Sequence, residues 1–193
     1  MTLHPGRPRE FDKDTALDAA MALFWRQGYE ATSLAALLDA MGLSKSSFYE
    51  TFGSKHALFL RALAQYQDQR STEIGIRLAD GPSARAAIEA LFRGIVACEQ
   101  AKGCMTCNEA VELAPRDPEV EAQVGSALAD LETQLEATIA RGQRDGSIAP
   151  TRDPATLARL LLVALNGLQV MIRARTDQAR LDETVEIILN LLA

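Results

Sequence analysis

Two groups of residues in this chain have the types and spacing to do chemistry. Cys104-Met105-Thr106-Cys107 sets two thiols three residues apart, so on a helix both sulfurs share one face, with Cys104 in the first turn. A helix amino terminus lowers a thiol pKa and favours the thiolate, the form that attacks oxidants and electrophiles. A thioredoxin-like redox centre would need a βαβ context, and a zinc site would need more ligands than Cys98, His4 and His56 offer in this sequence. Free cysteines are also common small fillers of cores and pockets. Three readings therefore stand: core or pocket lining, thiol-based sensing, and a thiol redox enzyme built on Cys104 and Cys107. The second group is Lys45, Ser46, Ser47 and Tyr49, one cation, two small hydroxyls and an amphipathic ring crowded into five residues. Such side chains hydrogen-bond phosphates and base edges.

The elements needed to present that second group are legible around it. Ser33 can cap a helix whose Leu34, Leu37, Leu38 and Met41 repeat at i, i+3, i+4, i+7. Gly42 follows, where a left-handed backbone turns the chain. Ser44 caps a second helix that turns Phe48 and Phe52 inward and leaves Lys45, Ser46, Ser47 and Tyr49 outward. This is a helix-turn-helix over about 32–51. Ahead of it, a helix over about 13–27 has Leu17, Ala20, Met21 and Phe24 as its buried stripe and ends at Gly28. Before that, Gly6-Arg7-Pro8-Arg9 reads either as a basic arm whose Arg7 and Arg9 enter a minor groove or as an ordinary polar terminus.

On these residues the chain resembles the TetR family of bacterial transcriptional regulators. The family pattern stands here as Gly28-Tyr29, Thr32-Ser33, Gly42-Leu43-Ser44, Tyr49-Glu50-Thr51-Phe52 and Ser54-Lys55. There are two departures from it: Leu38 replaces a small alanine, and Glu50-Thr51 stands where aromatic or histidine residues are common. The resemblance implies that Thr32, Ser33, Tyr49 and Lys55 touch phosphates, with helix amino termini assisting, and that Lys45, Ser46 and Ser47 face bases beside the cap Ser44. It also implies a dimer formed by the last two helices, which suits a reader of a pseudo-palindromic operator.

Composition agrees with an all-α chain: 48% of the 193 residues are hydrophobic but only 5% aromatic, with Ala and Leu dominant. No run of 18 apolar residues and no secretory leader is evident, and three cysteines fit a reducing cytoplasm better than a disulfide framework. The net charge of −6 is unevenly spread. Residues 1–63 hold seven basic and seven acidic side chains, so the remaining thirteen and nineteen put the whole deficit in residues 64–193. DNA would meet the neutral part.

Asp80-Gly81-Pro82-Ser83 is the clearest break behind a long helix that starts near Ser54. The expected division is a DNA-binding domain over 9–69 and a helical effector and dimerisation domain over 70–193. The latter has helices near 83–101, 104–114, 117–143, 154–175 and 180–192. Tyr66, Phe92, Cys104, Cys107, Asn108, Val111, Asn166 and Met171 are candidate lining for a small, mostly apolar effector. Leu161, Leu165, Leu168 and Ile172, with Leu181, Val185, Ile188 and Leu192, form apolar seams expected to meet a second copy. The sum is a homodimeric, ligand-responsive repressor of operator DNA, with no catalysis, cofactor, metal or membrane partner.

Overall fold

Most helices begin where a short polar side chain can accept from the first N–H groups. In the computed structural model, which describes residues 12–97 and 102–193, Asp12 opens α1 (Lys13–Gln27), its Oδ1 accepting from the Asp14 N–H at 3.0 Å. Ser33 Oγ accepts from Ala36 N–H at 3.1 Å and opens α2 (Leu34–Met41). Gly42 then turns left-handed (φ 64°), its N–H reaching Asp39 O while the Leu43 N–H reaches Leu38 O. That pair of bonds satisfies the last carbonyls of α2 and is the reason a glycine stands there. Ser44 opens α3 (Lys45–Phe52), and Ser54 Oγ accepts from Ala57 N–H at the start of α4 (Lys55–Ala79).

The described residues are all helix, turn or loop, and they divide into two compact units, one ending at Ala62 and the other beginning at Leu63. In the first unit α1 packs on α2, and Phe24 meets Phe59 edge-on at 5.1 Å between ring centroids. The buried face of α1 is Ala16, Ala20, Leu23 and Phe24, so Leu17 and Met21, expected inside, are only partly covered. The small side chains at 20 and 16 sit one and two turns from Phe24 and permit the close approach; the larger Leu17 and Met21 flank it. Likewise Leu37 and Met41 are the buried positions of α2, with Leu34 and Leu38 half-buried.

The second unit contains the rest of α4 with α5 (Ala84–Val96), α6 (Met105–Glu112), a 3-10 turn over Ala114–Arg116, α7 (Pro118–Asp145), α8 (Pro154–Arg173) and α9 (Gln178–Asn190). α5 ends earlier than the expected 101, and Cys98 lies outside the described residues. Phe92, Ile88, Leu135, Ile139, Leu161 and Val185 are at the centre of its core. Where α7 ends, Gly142 lets Ile148 fold back so closely that a Cβ there would sit 2.5 Å from Ile148 Cδ1.

α8 is apolar enough (mean hydropathy 1.7 over its best window) and long enough to cross a membrane by those measures alone, yet its inner face is core. That inner face corrects the expected dimer seam. Leu161, Leu165, Leu168 and Ile172 of α8, and Leu181, Val185 and Ile188 of α9 with Leu192 just beyond it, are buried inside the chain itself. α5 and α7 already cover them. The apolar surface left outside is a different stripe: Leu160, Val163 (67% exposed) and Val170 on α8, with Gly167 between them, and Ile187 (67%) on α9.

Candidate functional site

The surface able to meet nucleic acid is built on α3. Phe48 and Phe52 are buried and anchor the helix, which leaves Lys45, Ser46, Tyr49 and Glu50 exposed on the other side. Tyr49 is held by its neighbour, its ring 5.3 Å from that of Phe48 and perpendicular to it. Ser47 is half-buried, its hydroxyl 2.9 Å from that of the cap Ser44, so these two serines define the start of the helix. Ser33 is exposed and serves α2 in the same way. Lys55 stands in the first turn of α4 with its Nζ 4.2 Å from the centre of the Tyr29 ring, a cation–π contact that pins the ammonium near the surface. The capped amino termini of α2, α3 and α4 therefore lie in this unit beside that of α1, each with N–H groups beyond those its cap takes up.

Thr32 departs from expectation. Its side chain is fully buried (0% exposed) and its hydroxyl donates to Gly28 O at 2.6 Å, closing the turn between α1 and α2. It cannot offer that hydroxyl to a phosphate. Arg7 and Arg9 lie outside the described residues.

A cavity of about 230 Å³ opens in the second unit between α4, α7 and α8 and the first turn of α6. Of the eight residues expected to line it, Cys104, Cys107 and Asn166 do. Tyr66 is buried beside them, its hydroxyl hydrogen-bonded to Cys104. The other four go elsewhere. Phe92 is fully buried in the core, Met171 packs against that core, and Val111 points to solvent at 77% exposure. Asn108 Nδ2 donates to Lys102 O at 3.2 Å, and Arg173 reaches the same carbonyl at 3.0 Å, so Asn108 braces the turn before α6. In their place stand Gln67, Arg70 and Ser71 of α4, Gln123 and Gln134 of α7, and the buried Gln169 of α8, above a wall of Ile74, Leu128, Leu131 and Leu165. The lining thus combines an apolar wall with several amide side chains.

Cys104 is the residue that caps α6, without a side-chain bond to the helix N–H groups. Its pKa is drawn down to about 6. The Cys107 thiol donating to it is the main cause; the Cys107 N–H, the Tyr66 hydroxyl and the charge of Arg70 add to this, and burial opposes it. Cys107 moves the opposite way, held protonated by that donation and by burial, and Tyr66 is held protonated by burial and by the neighbouring thiolate. The single Cys107 proton has two acceptors in reach, Cys104 Sγ and Asn166 Oδ1, the latter at 3.0 Å. The pair is thus one nucleophilic sulfur and one donor.

Comparison with known proteins gives a consistent picture. Residues 16–62 match the model described as bacterial regulatory proteins, tetR family, and residues 82–188 match a tetracyclin repressor-like C-terminal domain. The HTH-type transcriptional repressor ComR of Escherichia coli K12 is 33% identical over 187 residues, covering 94% of this chain and 88% of that protein. The HTH-type transcriptional regulator YezE of Bacillus subtilis is 32% identical, covering 97% and 99%. Among solved structures, a cysteine mutant of the TetR family regulator CifR in complex with 26-bp double-strand operator DNA superimposes with a TM-score of 0.86. It is 35% identical and covers 97% of this chain and all of that one.

Proposed function

The chain belongs to the TetR family and is a DNA-binding transcriptional regulator, and from that premise we propose that it is a homodimeric repressor released from a pseudo-palindromic operator by a small molecule. The observation that carries this is α3: a capped helix anchored by two buried phenylalanines, with Lys45, Ser46 and Tyr49 free to face a major groove. Ser33, Ser44 and the amino termini of α2 to α4 supply backbone N–H groups for phosphates, and Lys55 adds a cation. The first unit, ending at Ala62, is the reader. The second holds the effector in the cavity and the partner on its outer apolar stripe of Leu160, Val163, Val170 and Ile187. An operator with two half-sites favours two reading heads, and an apolar helix exposed on one side favours a cover. The effector would favour a dimer whose heads no longer match successive grooves. Such a protein works where the DNA is, in the bacterial cytoplasm, and needs no catalytic step.

A second reading shares the fold and differs in the signal. The lowered pKa of Cys104 and the donor placed beside it favour modification of that thiolate by an oxidant or electrophile as the releasing event.

The test is operator binding by the whole protein. Lys55→Ala should weaken binding to all sequences alike and lower the salt slope by about one per protomer. Lys45→Ala should instead change base preference within each half-site. Binding unaltered in affinity, salt slope and preference by both substitutions would overturn the assignment of α3 and the start of α4.

A further inference from the structure

Resting on the reading of the second unit as an effector domain, we propose that its cavity selects a small neutral molecule bearing a carbonyl together with hydroxyl or N–H donors. It would reject both hydrocarbons and carboxylates. Three glutamines of the lining carry the argument. Gln67 Nε2, Gln123 Oε1 and Gln134 Oε1 are shielded from solvent and have no hydrogen-bond partner among the described residues. Buried amide groups are seldom left so, because each unmade bond disfavours the state that contains it by about tenfold. Gln134 meets Ser71 Oγ at 2.9 Å with one end of its amide and leaves the other end over. An amide offers a donor at one end and an acceptor at the other, so the requirement is an occupant that carries both acceptors and donors. All three residues face one cavity, so one occupant can meet all three.

The rest of the lining limits the occupant further. Ile74, Leu128, Leu131 and Leu165 provide contact for a carbon skeleton. Arg70 lines the cavity but is bound to Glu73 at 2.6 Å, while Asp68, Asp130 and the Cys104 sulfur add negative charge. A carboxylate there would meet more negative than positive charge. A hydrocarbon fits the leucines and leaves the three amides unpaired. The volume, about 230 Å³, far exceeds the roughly 10–15 Å³ that one water needs.

Three probes of similar size separate these possibilities: mandelamide (neutral, carbonyl plus donors), mandelate (the corresponding anion) and isobutylbenzene (apolar). Calorimetric titration of the full-length protein should give mandelamide an affinity at least about tenfold above the other two. Gln123→Leu and Gln134→Leu should each lower mandelamide affinity about tenfold, and Gln123→Leu should raise the melting temperature of the ligand-free protein, since it removes a buried unpaired group, whereas Gln134→Leu also breaks the bond to Ser71. A purely structural glutamine would do the reverse. Equal or better binding of isobutylbenzene or mandelate, no binding of mandelamide, or wild-type affinity in both leucine variants would overturn the proposal. If those variants fail to fold, the ranking of the probes on the unaltered protein still decides. Selection of bound fragments from sheared genomic DNA by the probe-free protein keeps the two readings apart. Absence of DNA binding removes the regulator reading, whereas DNA binding with the wrong probe ranking removes only the ligand class.

Discussion

Glu109 lies in the middle of α6, 1% exposed, and neither of its carboxylate oxygens has a hydrogen-bond partner. Burial, with the nearby charge of Glu112, pushes its pKa up from an ordinary 4.5 to about 7; Arg173 pulls the other way, but its guanidinium already donates to Lys102 O at 3.0 Å. The folded protein therefore holds this proton more tightly than the unfolded chain. Stability is retained below the unfolded value, falls as pH rises between about 4.5 and 7, and the loss is complete above that. Each unit of difference is worth about 1.4 kcal/mol, so the ceiling is roughly 3 kcal/mol. Local relaxation and water entry reduce it to about 2 kcal/mol. Glu109→Gln removes the charge and keeps the shape. Urea unfolding at pH 5, 6, 7 and 8, at one protomer concentration, should show the two proteins nearly equal at pH 5 and the glutamine variant about 2 kcal/mol more stable at pH 8. Curves that stay parallel across this range, or a glutamine variant that is the weaker at pH 8, would mean that the carboxylate is paired and that the reasoning fails.

Other outcomes follow from the packing. The unaltered protein should sediment as the proposed dimer and Val163→Glu or Val170→Glu as a monomer, since pairing would then bury two unpaired charges at a cost of several kcal/mol, whereas Leu165→Ala should lower thermal stability by about 2–5 kcal/mol through the core of the chain itself. Gly142→Ala forces a methyl into Ile148 Cδ1 and should cost about 1–3 kcal/mol in chemical unfolding, unless Ile148 can change rotamer. Alkylation of Cys104 should be faster than that of Cys107 and should rise with pH about a midpoint near 6, as followed by mass spectrometry. Equal, slow labelling of both would make them inert fillers.

What could be read from sequence and what could not divide along physical lines. Caps, turn glycines and the inward phenylalanines of α3 are local signals, set by residues within one turn of each other, and Asp12, Ser33, Gly42 and Ser44 behave as their types dictate. Thr32 misleads because a hydroxyl at a helix start looks like a surface donor, and only the path of the turn after α1 shows that Gly28 O claims it. The apolar rows of α8 mislead differently. The helix is apolar on two faces, and periodicity cannot say which face its own chain covers. The cavity is the least local feature. Its glutamines come from α4, α7 and α8, more than 50 residues apart between Gln67 and Gln123, and glutamine in a helix ordinarily signals a solvated position. Cysteines and asparagines draw the eye first, and they supply only part of the wall.

The outer stripe on α8 and α9 also has a genetic consequence. It lies well away in sequence from every residue assigned to DNA, so a chain with a ruined α3 would keep the proposed pairing face intact. Co-expressed with the normal protein, such a chain would enter mixed pairs carrying one working reading head. With equal amounts of the two, about a quarter of the pairs would be fully competent by random assortment. Loss-of-function alleles in the reader should thus be dominant, and those that break the stripe recessive.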